Sequence, residues 1–172
     1  MTSQTIPTRK CRGFRAGAKA VLLAAAMLCS QAASADPAIA GQILQLAKLD
    51  YQQFDMYYQQ GKLYAQIGQV QNAQQYFLSA RLQATMISMD LLNLRAENVD
   101  TLHEGQCNDC NKQEIAIQYN SVASLNATVL DTYMSMLVQS PTSQQLLVQA
   151  EMKRIELNMS MLQLEQAMLA AQ

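Results

Sequence analysis

The sequence predicts an all-α protein: a bundle of four long antiparallel helices. Three observations lead there. Apolar residues recur every three or four positions over most of residues 38–171. No stretch alternates apolar and polar side chains for long enough to make a strand. The main breaks are turn-forming, at Gly68, around Gly105 to Asn111, and at Ser140-Pro141. Three breaks divide the pattern into four helices of about equal length, most simply an up-and-down bundle.

Residues 1–35 read as an export signal. Arg9, Lys10, Arg12, Arg15 and Lys19 form a basic start, and AVLLAAAML at 20–28 is a short apolar core. Ala33-Ser34-Ala35 has the small-x-small form of a cleavage site, so cleavage is expected after Ala35. The apolar run falls short of the roughly 20 residues that cross a bilayer, so no stable membrane span is expected once the signal is gone. Cys29 follows the bulky Leu28, which argues against a lipid anchor there. Residues 36–172 are then one helical domain, periplasmic or secreted. Seven of the 12 basic residues and all 13 acidic ones lie after Ala35, a net charge of −6. That balance argues against nucleic acid or anionic lipid as a partner.

The first helix is expected over about 38–67, with Asp36-Pro37 at its start. Leu44, Ala47, Tyr51, Phe54 and Tyr58 share one side of it. Gly68 supplies the turn. The second helix, about 70–98, has the cleanest period: Ala73, Phe77, Ala80, Ala84, Ile87, Leu91 and Leu94. Residues 99–111 form the expected loop. In the third helix, about 112–139, Ile115, Tyr119, Val122, Val129, Tyr133 and Met136 make the expected seam, with Asn126 at one seam position. Pro141 ends that run, and Thr142 with Gln145 has the form of a capping box for the fourth helix, about 143–171. This last helix carries two apolar stripes. One is Val148, Met152, Ile155, Met159, Leu162 and Leu169; the other is Ala150, Leu157, Met161, Leu164 and Met168. A helix apolar on two sides is either central in its bundle or has a further partner.

The stretch from Phe54 to Thr85 resembles a tetratricopeptide repeat, a 34-residue helix-turn-helix unit. Tyr57, Gly61, Tyr64, Gly68, Ala73, Phe77 and Ala80 carry the resemblance. It departs from that pattern at Gln60, where a Leu is common, and at Thr85, where the repeat ends without its Pro. No second copy follows. The resemblance implies that Gly61 and Ala73 let two helices touch. It also implies that a partner would be contacted from the exposed side of the first helix, at Asp55, Tyr58, Lys62 and Ala65.

Cys107-Asn108-Asp109-Cys110 admits three readings. Cys107 and Cys110 can form a disulfide, as export favours. With His103 they give H-x3-C-x2-C, three candidate metal ligands where a closed tetrahedral site takes four. They can also be a redox pair, which needs a thiolate held at low pKa. Met134-Ser135-Met136 and Met159-Ser160-Met161 suggest soft-metal sites, but residues two apart on a helix point about 200° from each other. Met as adaptable core or partner surface fits better. There is no Ser-His pattern, no Glu-x-x-His pair and no phosphate loop, so no enzyme activity and no cofactor are expected. The reading is a non-enzymatic exported helical protein that contacts another protein of a cell-envelope assembly or secretion system, with a homodimer possible. The alternative is a periplasmic copper- or zinc-handling protein built on His103, Cys107 and Cys110 with Met residues assisting.

Overall fold

A computed structural model of the chain describes residues 37–171. The expected signal, its cleavage after Ala35 and the cap at Asp36 lie outside them. The described residues form an all-α bundle of four helices: α1 (Pro37–Gln66), α2 (Val70–His103), α3 (Cys110–Gln139) and α4 (Gln144–Ala171). Successive helices pack on one another: α1 on α2, α2 on α3 and α3 on α4.

Glycine closes both of the first two helices in the same way. Gly68 takes φ +77° and Gly105 φ +65°, a left-handed backbone that glycine adopts at little cost. After α1, Gln69 N–H bonds to Tyr64 O and Gly68 N–H to Ala65 O. After α2, Gln106 N–H bonds to Thr101 O and Gly105 N–H to Leu102 O. Both are Schellman caps, which satisfy carbonyls left over at a helix end. α2 runs five residues past its expected end at Asn98 because its seam continues in polar residues. Asn98 and Thr101 are 2% and 4% exposed, one turn and two turns beyond Leu94. α3 begins at Cys110, earlier than expected, since Asp109 caps it by accepting from Lys112 N–H at 3.3 Å. At α4 the cap is Ser143, whose Oγ accepts from Leu146 N–H; the expected Thr142–Gln145 box does not form, and Ser143 caps alone because Leu146 has no side-chain acceptor to return the bond.

The α1 and α2 seams are buried as their periods indicate. Phe54, Tyr58 and all seven α2 seam residues are fully enclosed. Gly61 lets the second helix approach the first: a Cβ there would sit 2.7 Å from the Phe77 ring. On α3 the expected seam is wrong by a roll of the helix. Ile115, Val122 and Met136 point outward, and the interior is Ala116, Asn120, Ala123, Ala127, Leu130, Met134 and Leu137. The alanines win because small side chains let the neighbouring backbones close up. The bulkier stripe, which burial of area alone would favour, is left outside. In α4 the second stripe, Ala150 through Met168, is the buried one.

Candidate interaction surface

α1 and α4 close the bundle through long side chains rather than close backbones. Tyr58 is wholly buried and donates its hydroxyl to Leu147 O at 2.9 Å. Tyr51 reaches Arg154 O at 3.2 Å. Ion pairs flank them: Lys48 with Glu165 at 2.8 Å, and Arg154 with Asp55 at 2.8 Å and Glu151 at 2.6 Å. Lys62 Nζ stands 3.6 Å from Glu151 Oε2, an ion pair too long to be a hydrogen bond. The side chains of these pairs are partly exposed, so each pair contributes at most about 1 kcal/mol. Burial pushes the Tyr58 hydroxyl well above the usual tyrosine range, assisted by the Glu151 charge. Burial also acts to raise Glu151, but the hydrogen bond and charge of Arg154 outweigh it and hold the carboxyl below its ordinary range.

This seam corrects the partner surface that the resemblance implies. Tyr58 and Ala65 are buried, and Asp55 and Lys62 are engaged with α4. The side of α1 that would be open in a repeat array is covered by the chain's own last helix. Arg154, at the centre of the seam, was not among the residues singled out from the sequence. The signal was present: Glu151, Lys153, Arg154 and Glu156 crowd four of the five charges of α4 into six positions.

In the loop after α2, Cys107 and Cys110 form a disulfide, with Cα atoms 5.2 Å apart. His103 is exposed at the end of α2. Among the described residues no three His, Cys, Asp or Glu side chains converge to hold a metal ion, so His103, Cys107 and Cys110 are not gathered into a site. The Met-Ser-Met pairs split as helical geometry requires. Met134 and Met161 face inward, and Met136 and Met159 face outward.

Among the described residues, the outer side of α4 is an apolar face that no other helix covers. Val148, Met152, Ile155, Met159 and Leu162 step by four and three without a gap, each about half exposed, and Leu169 follows one heptad on. Their stripe lies opposite the buried stripe of the same helix. At 1.5 Å per residue it runs about 30 Å, and with a helix face about 10 Å wide it makes roughly 300 Å². That matches the largest apolar patch on a typical monomer. The outer series of α1 and α3 are interrupted by polar residues, Gln53 and Gln60 on α1 and Gln118 and Thr132 on α3, whereas α2 exposes an unbroken run of its own, Leu78, Leu82, Met86, Met89 and Leu92, stepped by four, four, three and three rather than alternating as on α4. Beside the N-terminal half of the α4 stripe, a groove of about 210 Å³ runs between Lys62 and Gln66 of α1 and Val148, Met152 and Ile155 of α4. No described helix is long and apolar enough to cross a membrane.

Comparison with known protein families, with curated proteins and with solved structures gives no match to this chain. The fold and the surface therefore define its class: a four-helix bundle with an uncovered apolar stripe at heptad spacing.

Proposed function

We propose that this chain is a non-enzymatic, exported helical interaction protein, and that the outer stripe of α4 is where another helix docks. The observation that carries the reading is the unbroken run Val148-Met152-Ile155-Met159-Leu162 on the solvent side. A seam at that spacing is the half of a coiled-coil contact that one helix supplies. Leaving it in water forgoes hydrophobic stabilisation that a partner helix would recover. Two Met in the seam make it adaptable to the partner's side chains. The adjoining groove gives room for one bulky side chain from that partner. The setting, an envelope assembly or secretion system, rests on the export signal read in residues 1–35.

The test is a double substitution, Ile155→Glu with Met159→Glu, expressed in the native host. The purified variant should keep its helical circular dichroism, because both side chains already face water. In detergent-free envelope extracts it should run at the size of the isolated protein, while the wild type runs in a larger complex. The control, Leu82→Glu with Met89→Glu on α2, should stay in the complex. If the α4 variant co-migrates with the wild-type complex, this surface is not the docking site.

A further inference from the structure

Among the described residues six polar ones are buried, and three of them, Asn98, Thr101 and Gln113, line a single cavity. The cavity holds about 240 Å³ at the end of the bundle where α2 stops and α3 begins. Ala40 of α1 and Met168 of α4 give it an apolar wall, and Cys107 stands on the loop side. The disulfide to Cys110 restrains that loop, so the site is shaped before anything enters it, which favours binding.

The hydrogen bonds at the wall are unevenly satisfied. Gln113 Nε2 donates to both Asn98 O and Asn98 Oδ1, each at 3.1 Å. That fixes the Asn98 carboxamide and leaves its Nδ2 with no acceptor, in a residue 2% exposed. A buried donor without a partner is destabilising, and native structures leave few of them. Three residues on, Thr101 gives its hydroxyl proton to Glu97 O at 2.8 Å, which leaves the oxygen's lone pairs open. A free donor and a free acceptor thus sit one helical turn apart on the same side of α2. No Asp, Glu, Lys, Arg or His is among the residues lining the cavity. A charged ligand would lose its hydration there and find no opposite charge.

We propose that this cavity binds a small uncharged molecule with a carboxamide-like head and an apolar body. The head's carbonyl oxygen accepts from Asn98 Nδ2, its N–H donates to Thr101 Oγ, and the body lies against Ala40 and Met168. An apolar cavity of about 150 Å³ accepts benzene. The larger volume here takes a molecule of roughly nine or ten heavy atoms. This site is separate from the α4 stripe, so it stands or falls independently of the docking reading.

The test titrates the oxidised protein, purified without reductant, with benzamide and with benzoate, followed by amide nuclear magnetic resonance. With benzamide the Asn98 and Gln113 side-chain signals should shift saturably, with a Kd of about 1 mM as expected for a ligand of nine heavy atoms. Benzoate should bind at least ten-fold more weakly. Asn98→Leu should lower benzamide affinity ten-fold or more with helicity unchanged. Should that variant fail to fold, Thr101→Val serves in its place and should weaken binding about five-fold. A cavity that takes only water would give no saturable shift at Asn98 or Gln113, and that result overturns the proposal. So would benzoate binding as tightly as benzamide, or unaltered affinity in the folded variant.

Discussion

The Tyr58 hydroxyl on α1 donates a 2.9 Å hydrogen bond to the Leu147 carbonyl on α4, inside a core that water does not reach. It is a tie between two helices whose backbones otherwise stay apart. Removing only the hydroxyl, in Tyr58→Phe, should cost about 1 kcal/mol and lower Tm by about 4 °C. Tyr58→Ala would also open a cavity and should cost about 3–5 kcal/mol. Thermal denaturation of the three proteins checks both. An unchanged Tm in Tyr58→Phe would show that the tie contributes nothing.

Gly61 faces the Phe77 ring with no room for a side chain. In an exposed helix, Gly→Ala stabilises by up to about 1 kcal/mol. Here the added methyl must push the ring or part the helices, so Gly61→Ala should destabilise by about 1–3 kcal/mol. Chemical denaturation decides the sign. Gly41, on the same helix, has open space around its Cβ position, so Gly41→Ala should stabilise and serves as the internal control.

Asp50 on α1 and Asp90 on α2 lie close enough to interact, and both are pushed above the ordinary Asp range, mainly by burial. The charge of Asp50 raises Asp90 further. A carboxyl whose pKa is higher folded than unfolded binds more protons in the folded state. Its effect on stability is therefore neutral below the unfolded pKa and grows unfavourable as pH rises through the folded one. Asp90→Asn should stabilise the protein at pH 7, by about 0.5 kcal/mol or less because both side chains are partly solvated. The gain should vanish near pH 3. A variant less stable than wild type at pH 7 would contradict this.

The first hairpin was legible in the sequence because every cue agreed. Gly61, Ala73, Phe77 and Ala80 announce a close helix pair, and Gly68 announces the turn between them. The ambiguity lay where one helix carries two apolar stripes. On α3 the larger stripe, Ile115 to Met136, draws attention by its area, yet the alanine stripe is inside. Periodicity marks a stripe as apolar without saying which of two stripes faces the core. Packing distance decides that, and it depends on the neighbouring helix. The same limit hid the cover over Tyr58. A repeat-like hairpin read alone has an open side, and only the path of α4, with Arg154 reaching Asp55 at 2.8 Å, closes it. The continuation of α2 beyond Asn98, through Thr101 to His103, was missed for a simpler reason. Polar residues in a loop-like context read as loop, although here they line a cavity.

The docking role of α4 has a direct readout in methionine oxidation. Met152 and Met159 lie on the outer stripe at 52% and 56% exposed, while Met161 and Met168, on the inner one, are 3% and 6% exposed. Brief peroxide treatment of the isolated protein should oxidise the first two quickly and spare the second two, as mass spectrometry of α4 peptides can show. The same treatment in intact cells should find Met152 and Met159 protected together, to near the level of Met161. If both remain as reactive in cells as in isolation, the α4 stripe has no partner and the account fails at its centre.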